Sequence, residues 1–97
     1  MRFTPDRIPC RVQGAESSGL GRELVILDPA GRMLRALNAS GARIWELVDG
    51  QRTVQQIADA LAAELRAEPD RVLRDTVALL EALAARELIV AMQEGSS

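Results

Sequence analysis

The chain of 97 residues contains no histidine, no lysine and no tyrosine, and Cys10 is its one cysteine. Without histidine it lacks the commonest side-chain general base and metal ligand, and no Ser-His or Cys-His nucleophile pair can form. A single cysteine allows neither an internal disulfide nor the ligand spacing of a zinc or iron–sulfur site. We therefore expect no catalytic residues, no metal and no cofactor, and a protein that is not an enzyme.

Aromatic residues and long hydrophobic runs are equally scarce. Phe3 and Trp45 are the only aromatic residues, too few for a surface that stacks the bases of single-stranded nucleic acid. No apolar run approaches the ~18 residues of a membrane-spanning helix. The lone cysteine and the lack of a recognisable signal peptide lead us to expect a cytoplasmic protein with no membrane partner.

Hydrophobic residues nevertheless make up 47% of the chain, which is enough for one modest core. We expect a single domain over 1–97, with a core of about 7–91 and loose ends. Its clearest β element is a hairpin. The apolar segment Glu23–Leu27 leads to a turn signal at 28–31 (Asp-Pro-Ala-Gly), and Arg32–Leu37 returns as the partner strand.

Weaker signals flank this hairpin. Residues 10–13 can form a first short strand, and 14–21, rich in glycine and serine, are typical of a flexible loop. At the other end, 88–92 predict a short terminal strand, and 93–97 should fray.

Capping residues mark the helix boundaries. Asn38 suits the N-cap of a helix over 39–48, which Asp49-Gly50 ends because glycine accepts the left-handed conformation of a helix C-terminus. Thr53 and Gln56 match the capping box of a second helix. The apolar face of this second helix is Ile57, Leu61 and Leu65.

A third helix begins at Pro69, which fits a first helical position, and we expect it to continue over 70–86. It has two apolar stripes. One stripe is 73, 77, 80 and 84, which is sufficient for a core, and the other is 72, 76, 79 and 83. A helix with apolar residues beyond one face packs on two sides or accepts a partner.

The succession of strand, helix, break and helix between Met33 and Leu61 is that of a small winged-helix unit. In detail this part of the chain resembles the PqqD family, whose members are associated with pyrroloquinoline quinone biosynthesis. The resemblance covers about 7–91 and departs at Glu87, where glycine is expected after the third helix. The segments that carry it are Leu37-Asn38, Ile44–Gly50 (Ile-Trp-Glu-Leu-Val-Asp-Gly), Arg52-Thr53, Ile57, Leu61 and Ala85–Ile89.

The resemblance implies an α+β, winged helix-turn-helix-like fold, with a three-stranded antiparallel sheet followed by three helices. It also implies a non-catalytic adaptor. Such proteins bind the leader of a ribosomally made precursor peptide and present it to a modifying enzyme, commonly a radical S-adenosylmethionine protein. The leader adds a strand beside the third strand of the sheet and lies against the third helix.

Transferred to this sequence, the resemblance places the peptide along the strand at Arg32–Leu37. The backbone of such an edge can bind an extended peptide. Three arginines, Arg35, Arg71 and Arg74, could meet acidic leader residues. The residues expected to contact the peptide are Arg32, Met33, Leu34, Arg35, Ala36 and Leu37 of the strand, with Arg71, Val72, Arg74, Asp75, Ala78 and Leu79 of the third helix.

Two alternatives remain open at this point. A winged helix can also be a DNA-binding regulator, since fold alone does not decide function. Between Asp70 and Glu87, however, three arginines face four acidic residues, a net charge of −1. This is unfavourable in a groove lined by phosphates, so no nucleic acid partner is expected. A free strand edge would also permit a homodimer.

Overall fold

The computed structural model describes residues 3–14, 16–20, 23–27, 30 and 32–92, and these form five strands and three helices. In chain order they are β1 (Ile8–Arg11), β2 (Glu16–Leu20), β3 (Glu23–Leu27), β4 (Met33–Leu37), α1 (Ala39–Leu47), α2 (Val54–Leu65), α3 (Pro69–Ala85) and β5 (Ile89–Met92). The antiparallel sheet β2-β3-β4 precedes the three helices, which confirms the expected α+β architecture.

The first strands differ from the sequence prediction. β1 begins two residues earlier than expected and pairs with β5, with Cys10 opposite Val90, so it belongs to a separate two-stranded sheet. The predicted loop over 14–21 contains β2, which pairs along β3. Its Glu-Ser-Ser-Gly-Leu sequence has little β-propensity of its own. We therefore attribute this strand to its main-chain pairing with β3. The predicted turn at 28–31 and the frayed end at 93–97 lie mostly or wholly outside the described residues.

The predicted helix caps are confirmed. The Asn38 side chain accepts a hydrogen bond from the Gly41 N–H at 2.9 Å, so α1 starts directly after β4. Thr53 and Gln56 form the expected reciprocal capping box at the start of α2. Between these helices Gly50 has a φ of +78°. Asp49 accepts hydrogen bonds from the Gln51 and Arg52 N–H groups, which lower the pKa of its carboxyl.

The N-terminal segment is fixed from Phe3 onward, which contradicts the expected loose end. Phe3 is fully buried, and its N–H donates to a Glu81 carboxylate oxygen at 3.1 Å. The carbonyl oxygens of Pro5 and Arg7 accept hydrogen bonds from the first N–H groups of α2. These groups have no partner within their own helix, so the segment completes the α2 terminus. Contacts between residues so far apart in the sequence leave no local signal in it.

α3 buries residues from both of its apolar stripes, so the predicted core face is only partly correct. Leu73 and Val77, which belong to the stripe predicted as core, are only half-buried. Leu80 and Ala84 of the same stripe are buried as predicted. Most of the other stripe is buried with them, because α3 packs along α2. The buried residues of α3 are Val72, Thr76, Leu80, Leu83 and Ala84. On α2, Ile57 and Leu61 are buried as expected, whereas Leu65 is exposed.

The Thr76 hydroxyl is buried in this core and has no hydrogen-bond partner among the described residues. A buried hydroxyl that loses its water partners destabilises the folded state. We expect Thr76→Val to raise the free energy of unfolding by about 1 kcal/mol, measured by urea denaturation with Trp45 fluorescence. Thr76→Ser, which keeps the hydroxyl but removes a methyl group, should lower it by about 1 kcal/mol. A valine variant no more stable than the wild type would contradict this account.

Glu87, the departure from the family pattern, has a φ of +60°. The Glu87 N–H bonds to the Ala84 carbonyl and the Leu88 N–H to the Leu83 carbonyl, the Schellman arrangement in which glycine is preferred. Glu87→Gly should therefore raise the free energy of unfolding by about 0.5–1 kcal/mol relative to Glu87→Ala, measured by thermal denaturation. The alanine variant is the control, because it removes the same side chain but keeps the backbone strain. Equal stability of the two variants would disprove the prediction.

Candidate functional site

β4 is an edge strand in the described part of the chain. It pairs with β3 on one side, and no described strand lies on the other. An edge of this kind presents main-chain N–H and C=O groups that can pair with another extended chain. The predicted strand at Arg32–Leu37 is thus placed at an edge, as expected, with Arg32 just outside it.

The pairing of β4 with β3 is interrupted by a β-bulge. Ala36 pairs with Val25 and Arg35 with Ile26, but the next paired residue is Met33, opposite Leu27. Leu34 is therefore the extra residue. A bulge bends its strand and increases its twist, and such bulges are frequent beside binding sites.

The end of β4 is anchored to the core and to α1. Leu37 is 3% exposed, whereas its neighbour Ala36 is exposed. Gly41, in the first turn of α1, lies so close to Leu37 that a Cβ there would be 3.3 Å from the Leu37 Cβ. The last residues of the edge strand and the first turn of α1 thus form one packed unit.

A groove of about 370 Å³ lies where this unit faces α3. α3 contributes Asp75 and Leu79, which are separated by one helical turn and so share a face. The complete lining is Ala36, Leu37, Asn38, Ser40, Gly41, Ile44, Asp75 and Leu79. The structure therefore brings the predicted strand and the predicted helix to one groove.

Other predicted α3 residues lie elsewhere. Arg74 and Ala78 line a separate apolar depression of about 410 Å³ between α3 and the N-terminal segment, together with Phe3 and Pro5. Val72 is 6% exposed and belongs to the core. Arg74, Ala78 and the buried Val72 are therefore not among the described residues that line the groove, and their contact with the ligand of β4 stays a prediction.

Arg32 and Arg71 are exposed, and the side chains of Met33, Leu34 and Arg35 lie outside the described part of the structure. A third depression, of about 700 Å³ beside β5, contains none of the predicted residues.

The sequence prediction missed the contribution of α1 to the groove. Asn38, Ser40, Gly41 and Ile44 line it, although the sequence predicted only an N-cap at Asn38 and a helix over 39–48. A signal was present, because an N-cap directly after a strand, followed by small residues, leaves the first turn of the helix open beside the strand end.

The charges around the groove are weakly paired. Arg71 and Asp75 are 3.9 Å apart, and their side chains are 76% and 72% exposed. An ion pair this long and this exposed contributes little to stability. Asp75 can therefore change partners at small cost.

Trp45, also on α1, belongs to the core and is 1% exposed. The Arg11 guanidinium carbon is 4.6 Å from the centre of the indole ring, and the guanidinium also donates to the Trp45 carbonyl. Partial burial lowers the pKa of Arg11, but an arginine so far above neutral pH stays charged. This contact fixes β1 against α1 and does not reach the groove.

Neither a metal site nor a membrane span is found in the described residues. They contain no group of three His, Cys, Asp or Glu side chains able to hold a metal ion. None of the described helices combines the length and the apolar character needed to cross a membrane.

Comparison with protein families matches residues 23–89 to the model of coenzyme PQQ synthesis protein D, PqqD. The chain belongs to the PqqD family. The match begins with β3 and ends in β5, so it includes the whole groove. No curated protein matches significantly.

Three solved structures are similar to this PqqD family member. TbiB1 in complex with the TbiA(beta) leader peptide is 31% identical, with a TM-score of 0.72 over 91% of this chain and 98% of that one. The PqqD part of Methylobacterium extorquens PqqCD is 27% identical, with a TM-score of 0.78 over 90% of this chain and 93% of that one. It is described as a functional stand-alone recognition element for ribosomally synthesised, post-translationally modified peptides. Lasso peptide synthetase B1 complexed with its leader peptide, at 20% identity and a TM-score of 0.73 over 86% and 98%, supports the fold.

Proposed function

We propose that this protein is a non-catalytic adaptor that binds the leader of a ribosomally made precursor peptide and presents it to a modifying enzyme. The observation that carries the proposal is the free edge of β4 beside a groove whose far wall is α3. Membership of the PqqD family and similarity to TbiB1, whose structure contains a leader peptide, support it.

In this proposal the leader adds a strand to the sheet along β4. Main-chain hydrogen bonds to the edge provide affinity, and alternate side chains of the leader point into the groove. The floor formed by Leu37, Gly41 and Ile44 is fixed by core packing. A leader therefore meets a preorganised surface, which lowers the entropic cost of binding.

The enzyme partner we propose is a radical S-adenosylmethionine protein or another peptide-modifying enzyme, acting in the cytoplasm. The adaptor itself contributes no chemistry. It raises the concentration of the precursor near the enzyme, because a bound leader holds the rest of the peptide within reach.

The experiment is isothermal titration of the protein with synthetic leaders of the short precursor peptides encoded beside its gene. We expect saturable binding to one leader per chain and none to random duplex DNA. A folded protein that gives no heat with any of these leaders at high micromolar concentration would refute the proposal. Salt-sensitive duplex binding would favour the DNA-binding alternative. Sedimentation of the free protein would show whether the β4 edge is occupied by a second copy.

Proline substitutions at two consecutive positions test the strand-addition geometry. Past the bulge, the N–H groups of Arg35 and Ala36 point to opposite sides of β4, one towards β3 and one towards the free edge. Of the variants Arg35→Pro and Ala36→Pro, the one that removes the N–H directed at β3 should weaken the hairpin. The other removes the N–H at the free edge, so it should stay folded but bind the leader at least about tenfold more weakly. Circular dichroism measures whether each variant is folded, and titration measures its affinity for the leader.

Arg35→Ala is the control for this pair, because it removes the guanidinium and keeps the N–H. If both proline variants stay folded and bind as the wild type does, the peptide does not pair with β4.

A further inference from the structure

Asp75 is the one charged side chain among the described residues that line the β4–α3 groove. The other lining residues are apolar or neutral. Of the arginines predicted to meet acidic leader residues, Arg71 is exposed beside Asp75, and Arg74 faces the separate depression next to the N-terminal segment. The described lining thus contributes a negative charge to the groove, where positive charge was expected.

The carboxylate of Asp75 is available to a ligand. Its contact with Arg71, at 3.9 Å, is exposed to water on both sides. Water and salt screen such a pair, so another cation can replace Arg71 with little loss. An acidic ligand residue at the same place would be repelled by Asp75.

The spacing along α3 fits an extended ligand. Asp75 and Leu79 are four residues apart, which is about 6 Å along a helix axis. Side chains on the same face of a strand recur every second residue, at about 6.6–6.8 Å. For a ligand that runs alongside α3, two side chains at positions i and i+2 can therefore meet Asp75 and Leu79 together.

We infer that the groove selects leaders that have a basic residue and an apolar residue two positions apart, with Asp75 binding the basic residue and Leu79 the apolar one. The inference rests on the proposed function and adds which leader sequences the groove prefers. Ser40 and Asn38 line the same groove and can accept hydrogen bonds from a bound ammonium or guanidinium.

The experiment selects binders to the full chain from a displayed library of random 12-residue peptides. We expect the wild type to enrich peptides with a Lys or Arg two positions from an apolar residue. A synthetic peptide from this set and its basic-to-Glu variant are then titrated against each protein. At low ionic strength the wild type should prefer the basic peptide about three- to tenfold, and Asp75→Lys should reverse the preference.

Asp59→Lys is the matched control. Asp59 is an exposed aspartate on α2 outside the groove, and the substitution changes the net charge by the same amount. It should keep the preference of the wild type. Asp75→Asn should abolish the preference without reversing it, which separates loss of the carboxylate from the arrival of a new charge.

The possible failures are distinguishable. Peptides that bind the wild type and are sensitive to the β4 proline substitution, but show no preference for a basic residue, would overturn the inference and leave the proposed function intact. A preference that Asp75→Lys does not change would also overturn it. If no peptide is enriched and no leader binds, the proposed function fails, and the inference fails with it.

Discussion

The direct passage of β4 into α1 is the constraint on which the candidate site depends. Leu37 is buried in the core, Asn38 caps the helix, and Gly41 packs so closely against Leu37 that an added Cβ would lie 3.3 Å from the Leu37 Cβ. Because no loop separates strand from helix, the free edge of β4 is held at a fixed position beside the first turn of α1. Packing and hydrogen bonding at Leu37, Asn38 and Gly41 thus fix one side of the groove.

α3 forms the opposite side, and its rotation decides what a ligand meets. The helix has more apolar residues than one interface can bury, and three surfaces share them. Val72 and Leu80 pack in the core, Leu73 and Val77 line the depression beside Phe3, and Leu79 remains for the groove. The N-terminal segment thus has a role beyond completing the α2 terminus, because it contributes to the surface around the second apolar stripe.

The difference between local and long-range contacts explains what could be predicted from the sequence. The caps at Asn38 and Thr53 were correct because each depends on a side chain and the backbone two or three residues away. β2 was missed because its pairing partner, rather than its own residues, makes it a strand. The buried face of α3 was predicted only in part, because both stripes are apolar and periodicity cannot choose between them. The choice depends on contacts with distant parts of the chain, to which α2 and Phe3 belong.

The proposed recognition of a leader through the edge of β4 has a consequence for specificity. Main-chain hydrogen bonds are the same for nearly every extended peptide, so β4 alone would bind leaders with little discrimination. Discrimination must come from the few side chains that face the added strand, and most of those in the groove are small or apolar. A single carboxylate among them then has a large influence, because it attracts one charge and repels the other. Asp75 is only weakly tied to Arg71, and this loose pairing leaves its charge available to a ligand.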